Sequence, residues 1–398
     1  MTDDRAQRPS RGPLSGVKVL EICAGLAGPS AGRLLAGLGA DVVKVEAVET
    51  GDFTRGVVPW VFRTHNRDKR SIAVDLTKDE GREVVLRLAR DSDVLLQSQR
   101  PGFLDSVGLG RKAIEDAAPG LIYASLSGFG STGPDAHRRG VDMLVQAEAG
   151  LASAQSGLIG NLSFVDATAG LSLTVGILAA LRDRETTGQV RDVDVSLVDA
   201  AIYLQAAPFA EFSTTGAWID QVSYWKRYAT VGVFDTADGP LFVGGYWERD
   251  WQVICDFLEH PDLVQDPRFN TAASRTQHAE EVRELISAGF ATRSRADVAN
   301  ALEAGGVMAG VARGPTETLE WEQVAANDSF FEEQNADGTS TKYARPAFRL
   351  TGSVVGSRPA PEVGEATRAV LSSVGFSADE IAGMIENGTV SASNESPS

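Results

Sequence analysis

The stretch from Val17 to Glu46 restricts the possible folds more than any other part of the chain. Val17-Lys-Val-Leu-Glu-Ile22 reads as a strand, Ala24 to Gly32 as a glycine-rich turn into a helix ending near Gly39, and Asp41-Val-Val-Lys-Val-Glu46 as a second strand. Strand, helix and strand in that order form a βαβ unit, which pairs the strands in parallel through a right-handed crossover. The alternation continues through Ser71-Ile-Ala-Val-Asp75, a helix from near Lys78, Val94-Leu-Leu96 and Leu121-Ile-Tyr-Ala-Ser-Leu126. An α/β fold with a doubly wound, Rossmann-like sheet is therefore expected.

At 398 residues, 43% of them apolar, the chain exceeds what one hydrophobic core usually serves, so two lobes are expected. An apolar helix over 167–181, an exposed turn at Arg182 to Gly188 and a strand Val190-Arg-Asp-Val-Asp-Val195 lead to a helix that runs to about residue 205. Pro208, Gly216 and several aromatics then interrupt the pattern. The expected division is a large α/β domain in 1–205, a linker at 206–230, a smaller α+β domain in 231–315, and a segment 316–398 returning to the large domain. Its polar tail, Ser391 to Ser398, is expected to be disordered.

A formal net charge of −17 repels nucleic-acid phosphates and anionic lipids. The expected ligand is small, with neither nucleic acid nor membrane as a partner. Cys23 and Cys255 are the only cysteines and show no metal-ligand spacing, so neither a disulfide framework nor a metal site is expected. Residues 1–12 hold no apolar segment of signal-peptide type, and no uninterrupted run of about 18 apolar residues occurs. A cytoplasmic location is expected.

The loop from Cys23 to Gly32 has to be weighed against a dinucleotide site. Glu46 stands 21 residues after Gly25, where a ribose-binding acid would be. The glycines, however, follow GxxGxxxG rather than GxGxxG, and Pro29 removes an amide that a pyrophosphate would use. Close helix-to-strand packing is the better reading of Gly32 and Gly37.

Asp166 stands at the head of the apolar run Ala167 to Leu181. Taken alone, it is either a helix N-cap or a nucleophile held ionised by the helix dipole and the first free amides. Its company widens the choice. Pro13-Leu-Ser-Gly-Val-Lys-Val-Leu20, Leu26-Ala-Gly-Pro29, Leu38-Gly-Ala-Asp-Val-Val-Lys-Val-Glu46, Gly51-Asp-Phe-Thr-Arg55, Asn66-Arg-Asp-Lys-Arg-Ser71, Arg100-Pro-Gly102, Ser127-Gly-Phe-Gly-Ser-Thr-Gly-Pro134 and Gly140-Val-Asp142 follow one another in order. With Asp262 to Phe269, Gly306 to Gly310 and Val363-Gly-Glu365, this series resembles the class III coenzyme A transferase (CaiB/BaiF) family over roughly residues 12–385.

The resemblance implies that Asp166 attacks an acyl-CoA thioester and then carries CoA, as an aspartyl thioester, to a carboxylic acid acceptor. It implies acyl-CoA as a substrate, with no permanently bound cofactor, and a homodimer of interlocked chains. In such a dimer the active site lies between the large lobe of one chain and the small lobe of the other. CoA contacts are placed by the same likeness on Leu26, Ala27, Arg55, Lys69, Arg70, Ser98, Arg100 and Arg139, with Lys69 foremost among the cations.

Some positions depart from the pattern. Leu26 stands where oxalate-type members carry Gln and Ala24 where they carry His, which speaks against an oxalate acceptor. Gln97-Ser-Gln99 replaces a Glu-Asn-Phe motif before Arg100. Two alternatives stay open. The α-methylacyl-CoA racemases of the family exchange a proton between the Asp and a His in a Gly-His-Asp motif, here Gly140-Val141-Asp142; His137 lies nearby in sequence, and Glu148 is either an acid/base or a surface residue. A member that binds acyl-CoA without turnover is the other. Asp142 and Gln146, one helical turn apart, are expected to support the wall of the site.

Overall fold

The computed structural model describes residues 12–335, 337–350 and 358–393. The segment 1–11 and the last five residues of the expected tail lie outside the described residues. Two compact units are present. The first takes in the described residues up to Ala152, Ile159–Ala206, and those from Tyr343 onward; the second takes in Ser153–Leu158 and Ala207–Lys342.

In the first unit the principal elements are β1 (Lys18–Ile22), α1 (Ala27–Gly37), β2 (Asp41–Glu46), β3 (Arg70–Val74), α2 (Asp79–Arg90), β4 (Val94–Gln97), β5 (Ile122–Ser127), α3 (Asp142–Glu148), α4 (Phe164–Thr187), β6 (Val193–Ser196) and α5 (Leu197–Leu204). The six strands are parallel and ordered 3-2-1-4-5-6. Val390–Ser391, read from sequence as the boundary of a disordered tail, instead pairs antiparallel with β3.

Because both faces of a parallel sheet are covered, its inner strands are nearly continuous apolar runs. Leu20, Val43 and Ile72 point to a core with α2 and the helix Thr367–Ser373, whereas Val19, Val42 and Leu96 point to a core with α1 and α4. Gly170 allows α4 to cross α1 closely: a Cβ there would lie 2.8 Å from Ala27 O. That approach brings the first turn of α4 beside the loop that precedes α1.

α4 is longer than the sequence suggested at both ends. Its charged last turns, Arg182 to Thr187, remain helical rather than forming a turn, and the helix stops at Gly188, whose φ of 74° a residue without a Cβ adopts without steric cost. By length and composition α4 is apolar enough to cross a membrane, but Val165, Ala169, Leu173 and Ile177 are buried against α1 and the sheet.

The second unit is α+β. Its antiparallel sheet joins Val231–Thr236, Gly239–Gly244 and Met308–Val311, and helices Glu248–Phe257, Ala279–Phe290 and Arg295–Ala304 pack on it around Phe234, Trp251, Ile286 and Phe290. It is wider than the expected 231–315. The segment read as a linker is largely helical, in Ala206–Thr215 and Gln221–Arg227. Pro208 falls in a first turn, where its missing N–H breaks no helical bond, and the Asp220 side chain caps the second helix by accepting the Ser223 N–H at 2.7 Å.

Candidate active site

The strand order reverses between β1 and β4, the place where doubly wound sheets bind ligands outside the carboxyl ends of their strands. A cavity of about 530 Å³ opens there. The loop after β1 contributes Ala24 to Ala27, the loop after β4 Ser98 to Pro101, the end of β5 Ser127 and Gly128, and the start of α3 Val141 and Asp142. Asp166 completes the wall from the first turn of α4.

Asp166 is not the N-cap. α4 begins at Phe164 with Ser163 as its cap residue, so Asp166 sits inside the first turn. Its carboxylate has no ion pair or hydrogen bond among the described residues, while its backbone N–H donates to Asp142 Oδ2 at 2.9 Å. Burial, and secondarily the Asp142 charge, push its pKa up to about 7. Asp142 and Gln146 do share one face of α3. The Gln146 amide donates to Asp142 Oδ1, accepts the Gly160 N–H at 2.9 Å and donates to Gly160 O at 3.1 Å, tying the segment before α4 to α3.

The glycine spacing of the first loop has a different explanation from a dinucleotide motif. A Cβ on Gly28 would meet Cys23 Sγ at 2.7 Å, and one on Gly32 would meet Glu21 Oε2 at 1.8 Å. Gly32 thus makes room for a buried carboxylate. Glu21 is fully buried between Lys44 (3.2 Å) and Lys69 (2.7 Å). Lys44 also reaches Asp52 (3.0 Å), and Glu46 binds Arg55 (2.7 Å) and Ser71. Burial alone would raise Glu46, but Arg55, Lys44 and Ser71 outweigh it and hold its carboxyl below the ordinary range. The Glu46 oxygens are therefore engaged within the protein by Arg55, Ser71 and the Asp52 N–H.

This network and its surroundings engage three of the expected CoA contacts within the protein. Lys69 is only 3% exposed; its ammonium donates to Pro29 O and Asn66 Oδ1, both at 2.9 Å, besides pairing with Glu21, and burial lowers its pKa to about 8. Arg55 holds Glu46 through two nitrogens, donates to Pro361 O at 2.9 Å and stacks 3.7 Å from the Phe62 ring centroid. Arg70 pairs with Asp41, the first residue of β2, toward the amino end of the sheet and away from the crevice. None of the three lines the cavity.

Leu26, Ala27, Ser98, Arg100 and Arg139 do line it together with Asp166. Arg100 and Arg139 are exposed and have no ion pair among the described residues. Phe53 and Arg138, not singled out from sequence, are also in the wall. Arg138 pairs with Glu148, which accounts for that carboxylate, and covers the Phe129 ring at 4.3 Å. Val141 is 62% exposed at the rim, and His137 is exposed and outside the lining.

A second cavity, about 580 Å³, lies outside the carboxyl ends of β1, β2 and β3. Ala47 to Thr50, Leu76 to Lys78 and Phe103 line it, and Gln99 belongs to both cavities. No group of His, Cys, Asp and Glu able to hold a metal occurs among the described residues.

Comparison with known proteins identifies the family and the fold. The chain matches the family model of CoA-transferase family III over residues 14–367. It is 33% identical over 378 residues to the probable fatty acyl-CoA transferase Rv3272 of Mycobacterium tuberculosis, covering 89% of this chain and 96% of the relative. The succinyl-CoA:glutarate CoA-transferase of Mus musculus is 31% identical over 91% of this chain and 86% of its own length. A crystal structure of Rv3272 superposes with a TM-score of 0.81 at 32% identity, covering 91% of this chain and 99% of that one. A CaiB/BaiF family protein from Brucella suis superposes with a TM-score of 0.82 at 27% identity, over 92% and 100% of the two chains.

Proposed function

The chain belongs to CoA-transferase family III and is a CoA-transferase, and from that premise we propose that it moves CoA from an acyl-CoA donor to a carboxylic acid acceptor through covalent intermediates on Asp166. The observation that carries this reading is a carboxylate with no ion pair among the described residues, in the wall of the switch-point cavity, its carboxyl pushed to about 7 by burial. A structural aspartate at such a place would be paired, and an unpaired one is poised to attack.

One Asp166 carboxylate oxygen adds to the donor thioester carbonyl, and the C–S bond breaks to release CoA thiolate and an acyl-aspartyl anhydride. The thiolate attacks the aspartyl carbonyl, the donor acid leaves as a carboxylate, and Asp166 holds CoA as a thioester. The acceptor carboxylate then displaces the thiolate, forming a second anhydride. Attack of the thiolate on the acceptor carbonyl yields the new acyl-CoA and frees Asp166. A pKa near 7 leaves a substantial fraction of the carboxyl ionised at neutral pH, and burial strips that carboxylate of water that would otherwise blunt its attack. Arg100 and Arg139 are the cations free to meet CoA phosphates or a substrate carboxylate, and Leu26, Phe53 and Val141 give the wall its apolar part. The second cavity, joined to the first at Gln99, offers room for the nucleotide end of CoA.

A proton-exchange reaction is less well supported, because Val141 holds no proton and no imidazole lines the cavity. A homodimer belongs to the same proposal. Phe164, Leu171 and Val175 leave one side of α4 apolar and exposed in the single chain, a side that a second copy would cover. The two buried free thiols, Cys23 and Cys255, suit a cytoplasmic protein.

Oxygen labelling tests the covalent route. Turnover with an acceptor acid carrying ¹⁸O in its carboxylate is expected to leave one labelled oxygen in the peptide containing Asp166, since the second anhydride breaks on the acceptor side. Product formed with no label in that peptide would mean that transfer bypasses Asp166.

A further inference from the structure

We propose that Lys44 and Asp52 are positioning residues of the transfer reaction: their buried ion pair fixes the backbone on both sides of Ala24 and so sets where Leu26 and Ala27 stand in the cavity wall. The proposal rests on the reading of Asp166 as the nucleophile of that cavity.

The two side chains grip successive backbone groups of the loop. The Lys44 ammonium, fully buried, donates to Cys23 O at 2.6 Å. Asp52 Oδ1 accepts the Gly25 N–H at 3.4 Å, together with the Thr54 N–H at 3.0 Å and hydroxyl at 2.7 Å. Between those points, the Ala24 N–H donates to Ser98 Oγ at 3.3 Å. Gly25 has a φ of 87°, so the chain turns sharply there and Leu26 begins a new direction toward α1. Lys44 and Asp52 close the grip on each other at 3.0 Å, and the Asp52 N–H is itself held by Glu46 Oε2 at 2.8 Å.

The network is neutral as a whole: Glu21, Glu46 and Asp52 face Lys44, Lys69 and Arg55. Burying six charges is a poor way to gain stability, since apolar side chains of similar volume often stabilise as well or better. What apolar packing cannot do is satisfy the Cys23 carbonyl and the Gly25 N–H while holding them in one place. Those two groups bracket Ala24 and lead directly into Leu26 and Ala27, all of which share the cavity with Asp166, and displacement of a wall by about 1 Å can cost on the order of 100-fold in rate.

Lys44→Met, Asp52→Asn and the double variant separate positioning from stability. Each single variant leaves an unbalanced buried charge and is expected to lower Tm. The double variant balances the charges again, so its Tm should recover much of the loss, while kcat stays roughly 10- to 100-fold below wild type and the KM for acyl-CoA changes less than about threefold. Recovery of kcat in step with Tm would show that the pair serves stability alone and overturn the proposal; a change confined to KM would do the same. Hydroxylamine trapping of the wild-type Asp166 peptide during the same assays keeps the premise separate. An adduct in the wild type with kcat following Tm defeats the positioning role alone, and no wild-type adduct defeats the nucleophile reading and this role with it.

Discussion

At the scale of single residues, Asp166 gives the clearest pH prediction. Its carboxyl titrates near 7 because burial and Asp142 disfavour the charge, so kcat/KM should rise with pH through about 7 as the nucleophile ionises. Asp142→Asn should move that limb to lower pH without returning it to the ordinary aspartate range, because burial, the larger cause, persists. The stability sign is opposite to that of a paired carboxylate. Between the ordinary range and 7 the unfolded chain ionises first, so the native state is destabilised progressively as pH rises through that window. Asp166→Asn removes the penalty and should raise stability at pH 8 by roughly 1–3 kcal/mol in urea unfolding while abolishing transfer. A pH-independent rate from 5.5 to 8.5, or a less stable Asp166→Asn, would contradict this. The place of Asp166 at the head of an apolar helix was legible, whereas its position alone left cap and nucleophile both open. The pairing of Lys69 was not legible, since a lysine in a basic run gives no sign that its partner, Glu21, waits 48 positions upstream on β1, two strands across the sheet from β3.

At the scale of elements, the sequence carried the strands well and the helix ends poorly. β2 lies where the alternation put it, at Asp41–Glu46, because β-branched runs buried on both faces have little else to do. α4 starts before the expected residue because Phe164 and Val165 extend the apolar face, and Ser163 leaves no side-chain cap bond to mark the start. The glycines of α1 were read as packing residues. For Gly32 the contact is specific: the Glu21 carboxylate occupies the space a methyl would need. Gly32→Ala should therefore destabilise the protein by about 3 kcal/mol or more, against a gain below about 1 kcal/mol expected of Gly→Ala at an unhindered helical site. Urea unfolding of Gly32→Ala beside Gly383→Ala, whose Cβ would meet nothing within 4 Å, measures the contrast. Equal effects at the two sites would contradict the role of the buried carboxylate.

For the whole molecule, length and the break near residue 206 pointed to two lobes, and the described chain divides into two compact units whose second takes in Ala207–Lys342 rather than 231–315. Aromatics and Pro208 looked like a linker because they disturb periodicity, whereas in the folded chain many of them sit on two short helices, the second capped by Asp220. Among the eight expected CoA contacts, Leu26, Ala27, Ser98, Arg100 and Arg139 share the cavity with Asp166, and Arg55, Lys69 and Arg70 do not. Motif order supplied the loops, while the direction of each cation depended on tertiary pairing. The exposed apolar side of α4 leads to an assembly prediction: light scattering should return twice the chain mass, 84 kDa within error for a 42.1 kDa chain. Leu171→Lys with Val175→Lys should reduce recovery of that species. A wild-type monomer that stays soluble and active would count against the homodimer. Hydroxylamine trapping followed by intact-protein and peptide mass spectrometry tests covalent transfer most directly, using a panel of acyl-CoA donors on wild type and Asp166→Ala. A single hydroxamate on the Asp166 peptide of the wild type, absent from the variant, is the predicted result; measurable CoA transfer with no adduct on that peptide would contradict it.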